Sequence, residues 1–361
     1  MRYLLGAGNT LIVRGPASFR VLNGEPTVLG GPLSLNERVI VRRDKQLPIL
    51  AHSESELDLA VVHKSQVFEI NGSTIPASWD SAAEALGEME RGTVMVVGSA
   101  DTGKSTLCTY LMNRLFGKGI AAKIVDGDVG QADIGPPTTI SRANLEEYVV
   151  SLVDLHPESL LFIGHITPPL VEAKLIDGIR RLLDFDDRSL TIINTDGWIL
   201  DPEAVMYKIR MIEAIQPDIV LVISTGTELQ PILSGSRAKS MRLDAPQNVF
   251  ARSRTDRRDL RTAGYRRFLE GATSQKHLLQ NITLALPHGL ESTRAGRGSD
   301  LSNLIVGLLD ERGFLIQIGV LLRMEKNSLQ VYSKHVNGVS KIEVGYVRLS
   351  TSGLEMGYLD L

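Results

Sequence analysis

Residues 93–116 read TVMVVGSADTGKSTLCTYLMNRLF, and the rest of the chain is best approached from them. TVMVV has the make-up of a buried strand, and Thr106 to Phe116 carries the spacing of a helix that stops at Gly117 and Gly119. Between them, Gly98, Ser99, Ala100, Asp101, Thr102, Gly103, Lys104 and Ser105 fit the pattern G-x-x-x-x-G-K-[ST] at every fixed position. Glycines let the backbone curl until successive N–H groups point inward, and the following helix brings its positive end to the same place. Such a cradle takes the phosphates of a nucleoside triphosphate. Lys104 is expected on the β- and γ-phosphates, and the Ser105 hydroxyl on Mg²⁺. Cys108, inside the helix, reads as a small buried apolar side chain.

Outward from this segment, short apolar runs alternate with longer helical ones: KIVDGD, SLLFIG, PLVEAKLIDGIRRLL, LTIINT, PEAVMYKIRMIEAI and DIVLVIS. That alternation predicts an α/β fold, a three-layer P-loop NTPase core with a mostly parallel sheet covered on both faces. The core is expected over residues 81–287, opening with a helix near Trp79 to Arg91. Before it, residues 1–80 hold the runs Leu11 to Val13, Val39 to Val41 and Val67 to Ile70 between turn signals at Asn23-Gly24, Gly30-Gly31 and Asn71-Gly72. A small β domain is expected there. A second β-rich domain is expected over 288–361, where LSNLIVGLLD and FLIQIGVLL flank Glu311-Arg312-Gly313.

The chain has 361 residues, 43% hydrophobic and 22% charged, the composition of an ordinary folded protein. Its 39 basic and 42 acidic side chains leave a net charge of −3, which excludes a general polyanion-binding coat. Any polyanion site must be local. One cysteine permits no internal disulfide and no cysteine-rich metal cluster, and six of the seven histidines show no metal-site spacing. No secretory signal and no membrane span is read, so a cytoplasmic protein with no membrane partner is expected.

KIVDGDVGQADIG runs as a strand into Asp126, Asp128 and Gln131. Open α/β sheets bind ligands at the carboxyl ends of their strands, and period-two spacing puts both aspartates on one side of an extended segment. At least one, Asp128 before Asp126, is expected to be catalytic or to meet the metal; the alternative is that one caps the following turn.

Taken together, GSADTGKST, DGDVGQ, Gly164-His165-Ile166-Thr167-Pro168 and Asn194-Thr195-Asp196-Gly197-Trp198 resemble the polynucleotide 5′-hydroxyl kinase family. That family includes the kinase subunit of the eukaryotic messenger-RNA 3′-end cleavage machinery, the nucleolar ribosomal-RNA kinase and archaeal homologues. The resemblance implies that Asp128, Gly130 and Gln131 form the DxGQ segment near the attacking hydroxyl, with Asp126 in support. It implies that Thr167 and Pro168 clasp the terminal nucleotide and that Trp198 is the platform for its base. Stacking on an aromatic ring tolerates any base and is worth roughly 1–3 kcal/mol. His165 reads equally well as a hydrogen-bonded structural residue or a ligand contact.

Residues 251–267, ARSRTDRRDLRTAGYRR, hold seven arginines against Asp256 and Asp259. Guanidinium groups pair bidentately with phosphoryl oxygens. On a helix Arg254, Arg257, Arg258 and Arg261 share one face. After a P-loop core the run resembles the family's arginine lid, a mobile helix closing over ATP, with Arg254 and Arg258 the best placed for catalysis. Ser224 to Glu228 follows the last clear core strand, the usual place for an adenine contact. The expectation is an ATP- and Mg²⁺-dependent enzyme that phosphorylates 5′-hydroxyl ends of RNA, with DNA ends as a second acceptor and protein partners left open. Two other readings stand beside it: an inactive ATP-binding scaffold of an RNA-processing complex, and a switch ATPase or GTPase.

Overall fold

The computed structural model describes the chain apart from residues 44, 64–65, 90, 184–188, 250, 288–300 and 360–361. The expected start of the last domain, residue 288, therefore lies outside the described residues. In chain order the elements begin with β1 (Arg2–Leu5), β2 (Asn9–Arg14), β3 (Ala17–Asn23), β4 (Pro26–Val28), β5 (Gly31–Pro32), β6 (Arg38–Val41), β7 (Gln46–Ala51), β8 (Ser55–Val61) and β9 (Val67–Asn71). Next come α1 (Ala77–Gly87), β10 (Gly92–Gly98), α2 (Lys104–Gly117), β11 (Ala122–Asp126), β12 (Thr139–Asn144), β13 (Ser159–Phe162), α3 (Glu172–Leu182), β14 (Leu190–Asn194), α4 (Pro202–Ile215), β15 (Ile219–Ser224), α5 (Gln230–Gly235) and β16 (Ser240–Asp244). The remainder is α6 (Arg254–Leu269), β17 (Thr273–Leu278), β18 (Thr283–Ala285), β19 (Leu304–Leu309), β20 (Leu315–Met324), β21 (Ser328–Ser333), β22 (Lys341–Leu349) and β23 (Glu355–Tyr358).

The chain divides into two compact units, one of Met1–Ile124, Asn144–Leu155 and Phe185–Ser253, the other of Val125–Ala143, His156–Asp184 and Arg254–Leu361. In the first, the N-terminal strands form two antiparallel sheets, ordered β1-β8-β3-β6 and β5-β4-β7-β2-β9. The predicted apolar runs fall in β2, β6 and β9. The same unit holds four parallel neighbours, β14, β10, β15 and β16. Val94 to Val97 and Val220 to Ile223 are buried throughout, as strands covered on both faces require. Helix α1 is tied to α2 by Asp80, which accepts from Arg114 Nη1 at 2.8 Å, and by Glu84, which accepts from Lys118 Nζ at 2.6 Å. Trp79 is wholly buried and donates Nε1 to the Asp244 carbonyl at 3.0 Å.

In the second unit β12 and β13 pair antiparallel, Thr139 opposite Phe162. SLLFIG was expected to join the parallel alternation, and here that expectation gives way. Parallel neighbours need a crossover, usually a helix, whereas residues 145–158 contain only a three-residue 3₁₀ turn, Leu152–Asp154, so the chain doubles back. Strand β12 was not visible in TTISRAN because its polar residues break any apolar run. The C-terminal sheet is ordered β17-β21-β20-β19-β22-β18, with β23 on β22. The hairpin β19–β20 turns at Glu311-Arg312-Gly313 as predicted, with Asp310 Oδ1 accepting from Phe314 N at 2.8 Å. Ile305, Leu309, Ile318, Val320, Val347 and Leu349 form its core, and Tyr265 and Leu269 of α6 belong to the same cluster. Among the described residues no helix is long and apolar enough to cross a membrane.

Candidate active site

In the first unit, β10 ends at Gly98 and α2 starts at Lys104, so the phosphate loop spans the gap between strand and helix. Gly103, the N-cap of α2, has φ 93°, and Asp101 has φ 58°; two left-handed residues this close curl the loop. Gly98 permits a tight start, since a Cβ there would lie 2.8 Å from both the Ile223 carbonyl and Thr102 Oγ1. Thr102 Oγ1 donates to the Ser99 carbonyl at 2.9 Å, and Lys104 Nζ donates to the same oxygen at 2.8 Å. Lys104 is thus held low over the loop it is expected to serve. Ser105, in the first turn of α2, takes a hydrogen bond on Oγ from Asn194 Nδ2 at 3.5 Å, and Thr106 follows it half-buried. Asp101 accepts from the Arg252 backbone at 3.1 Å, tying the phosphate loop to the start of the arginine run.

The segment after β14 packs on this loop. Gly197 lies so close that a Cβ would sit 2.5 Å from Ala100 N. Trp198, next in sequence, is half-buried: it is not sealed in the core. Its Nε1 donates to Asp201 at 2.9 Å, and its ring lies 5.7 Å from that of Tyr207 at 32°. The loop expected near adenine is exposed from Thr225 to Thr227 and closed by Glu228, which accepts from Thr225 N at 2.8 Å. Burial pushes the Glu228 carboxyl up, but backbone donors at Thr225, Glu228 and Gly226 outweigh it and hold the group below its usual value.

In the second unit, Asp126 is fully buried and its carboxylate organises the loop that follows: Oδ2 accepts from Asp133 N at 2.8 Å and Ile134 N at 3.3 Å. Asp128 Oδ1 accepts from Gly130 N at 3.1 Å and Gln131 N at 2.9 Å. The turn-capping alternative therefore describes a part each carboxylate plays, and Asp128 is the less buried of the two. Gly130 brings this loop against the HITP segment, since a Cβ there would meet the Ile166 carbonyl at 2.7 Å. His165 Nδ1 lies within hydrogen-bonding distance of the Thr167 backbone N at 3.0 Å, its carbonyl oxygen at 3.0 Å and its hydroxyl at 2.9 Å. Burial holds the His165 pKa below its ordinary value, against a smaller opposing effect from the Thr167 backbone, and the rings of Tyr346 and Tyr358 stand 5.6 and 5.8 Å away. Thr167 is exposed, and Pro168 beside it is buried.

The arginine helix makes contacts along much of its length. Arg254 is exposed at its first turn, but Arg261 forms a two-pronged ion pair with Glu355, Nε to Oε2 at 2.7 Å and Nη2 to Oε1 at 2.9 Å. Arg258 donates to the Glu355 carbonyl, Arg267 donates to the Ile134 carbonyl at 2.8 Å, and Gln131 Nε2 reaches the Arg257 carbonyl at 3.5 Å. Tyr265 and Leu269 anchor the second half in the core because hydrocarbon interleaves with the charges there.

The sequence profile of the family described as mRNA cleavage and polyadenylation factor CLP1 P-loop matches residues 98–271. Over 322 residues the chain is 30% identical to a polyribonucleotide 5′-hydroxyl-kinase of Pyrococcus abyssi, spanning 74% of this chain and 90% of that one. The chain belongs to the polynucleotide 5′-hydroxyl-kinase family. It is also 29% identical over 340 residues to the polyribonucleotide 5′-hydroxyl-kinase of Pyrococcus horikoshii, covering 94% of that protein. A chain in the structure of the wild-type Clp1p–Pcf11p complex superposes with a TM-score of 0.73 at 15% identity, covering 96% of this chain and 97% of that one, a likeness of fold.

Within this kinase family member, several supporting residues were not legible in the sequence. Glu355, Tyr346 and Tyr358 lie far along the chain from the residues they hold, and no local pattern marks them. Lys208 does carry a signal in the sequence: it occupies the buried stripe of α4 formed by Ala204, Tyr207, Met211, Ile212 and Ile215, where a lysine needs an anion.

Proposed function

We propose that the chain transfers the γ-phosphoryl group of ATP to the 5′-hydroxyl of RNA. The observation that carries the reading is a complete phosphate loop packed through Ala100 on Gly197, the residue just before the half-buried Trp198. Lys104 neutralises charge on the β- and γ-phosphates, and the backbone N–H groups of Gly98 to Thr106 cradle them. Ser105 would hold Mg²⁺, since its hydroxyl is a hard oxygen donor of the type this ion takes, and the ion when bound would supply charge neutralisation. Asp128 orients the acceptor hydroxyl and takes its proton, or serves the metal with the same oxygens. Asp126 keeps the Asp128 loop in shape. The roles we assign are charge neutralisation of the transferring group to Arg254 and Arg258, and binding of the terminal nucleotide to Gln131, Thr167, Pro168 and Trp198. The segments 1–80 and 288–361 are proposed as flanking domains of a kinase domain at 81–287, working in the cytoplasm on RNA ends, with DNA ends as a second acceptor.

The test is a transfer assay with labelled ATP and paired RNA and DNA oligonucleotides carrying 5′-hydroxyls. Label on the RNA 5′ end is the expected result. ATP binding without transfer to either oligonucleotide would leave a scaffold, and hydrolysis triggered by a protein and indifferent to oligonucleotides would leave a switch.

A further inference from the structure

Asp196 and Lys208 are opposite charges taken almost wholly out of water, 4% and 0% exposed. Lys208 Nζ lies 2.8 Å from Asp196 Oδ2 and 3.0 Å from the Asp196 carbonyl. Tyr207 donates its hydroxyl to the same Oδ2 at 2.8 Å, and the other carboxylate oxygen takes the Trp198 N–H at 3.0 Å. A buried ion pair is a poor source of stability, because well-packed hydrocarbon of similar volume does as well or better. What this pair does is geometric. It fixes the backbone of Trp198 from behind, while the Tyr207 ring supports the indole and Asp201 holds its Nε1. The residue between Asp196 and Trp198 is Gly197, whose absent Cβ would sit 2.7 Å from Ala100 Cα in the phosphate loop.

We propose that Asp196, held by Lys208 and Tyr207, is a positioning residue for the acceptor: it presets the Trp198 indole as a stacking surface at a fixed place beside the phosphate loop. The inference rests on the polynucleotide kinase reading and says how that site obtains its grip. An indole held before the nucleotide arrives meets its ordering cost during folding, so more of the stacking energy appears as affinity. Tyr207 and Lys208 touch neither substrate and act through Asp196.

The experiment compares Trp198→Ala, Tyr207→Phe and Lys208→Met with the unaltered chain. It measures KM for a 5′-hydroxyl RNA oligonucleotide, KM for ATP, kcat, and acrylamide quenching of tryptophan fluorescence. Of the two tryptophans Trp79 is 0% exposed, so the quencher reads Trp198. Trp198→Ala is expected to raise the oligonucleotide KM about 5- to 100-fold. Tyr207→Phe keeps the ring and the ion pair, and is expected to raise that KM about 3- to 10-fold, as loss of one hydrogen bond to a buried carboxylate implies. It should leave the ATP KM within about twofold and increase quenching as the indole loosens. Lys208→Met should move the same readouts further; if it does not fold, Tyr207→Phe carries the test. Unchanged oligonucleotide KM and quenching in Tyr207→Phe, or an equal rise in both KM values, overturns the inference. If Trp198→Ala still weakens the oligonucleotide, the kinase reading survives that loss. An unaltered chain that binds ATP but labels no oligonucleotide removes the kinase reading first.

Discussion

At the scale of single residues, Asp128 separates shape from charge. Its Oδ1 holds the Gly130 and Gln131 amides, an office that an asparagine oxygen fills equally well. Asp128→Asn is therefore expected to keep the loop and ATP binding while lowering phosphoryl transfer at least about 100-fold, the usual scale for a lost general base. Single-turnover transfer beside equilibrium ATP binding measures both, and a near-normal rate would remove Asp128 from catalysis. Gly130 makes a different point. A methyl group there meets the Ile166 carbonyl at 2.7 Å, so Gly130→Ala must push the DVGQ loop from the HITP segment. Slower transfer with an unchanged helical circular-dichroism spectrum is the expected outcome. The spacing of GDVGQ announced these residues; the reason its glycine matters lies about 35 positions away and appears only when the two segments meet.

At the scale of elements, α6 is two half-helices in one. The sequence RTDRRDLRTAGYRRFL is so rich in charge that it reads as solvated throughout, and the amphipathic signal from Thr262, Tyr265 and Leu269 is drowned by it. Packing recovers that signal, since these three side chains are buried and Gly264 lies against Pro137. The bonds of Arg258 and Arg261 to Glu355 make β23 part of the mounting of α6. Glu355 is 5% exposed at its side chain and Arg261 12%. Glu355→Ala leaves a nearly buried guanidinium without its anion, so the urea midpoint should fall by the equivalent of about 3 kcal/mol. Transfer should fall as well if the proposed roles of Arg254 and Arg258 hold, because α6 loses its mount; an unchanged midpoint would show that the pair contributes nothing.

At the scale of the whole molecule, stability should respond to acid in two stages. Burial lowers the pKa of His165 and of His277, the latter aided by the neighbouring His335. The folded chain therefore binds fewer protons than the unfolded one once pH drops below about 6.5, and stability is lost as pH falls through the lowered folded values. Glu355 comes second. Burial raises its pKa, but hydrogen bonds from Arg261 and Tyr358 outweigh burial and lower it. Its contribution is complete above about pH 4.3 and disappears as pH falls through its folded value. Thermal melts from pH 8 to 3 should show the midpoint declining in both windows, and replacing His165 and His277 by Gln should flatten the upper one.

The order of amino acids alone specifies the phosphate cradle and the chemistry it implies, because that geometry is made by eight consecutive residues whose neighbours in the chain are their neighbours in space. It also determined the alternation that makes the core, since periodicity and turn residues act locally. The antiparallel run of β13 against β12, the pairing of Lys208 with Asp196 twelve positions away and that of Arg261 with Glu355 ninety-four positions away emerge only once the chain has folded. A buried charge takes whichever opposite charge the packing of whole elements brings beside it, and no local run of residues records that choice.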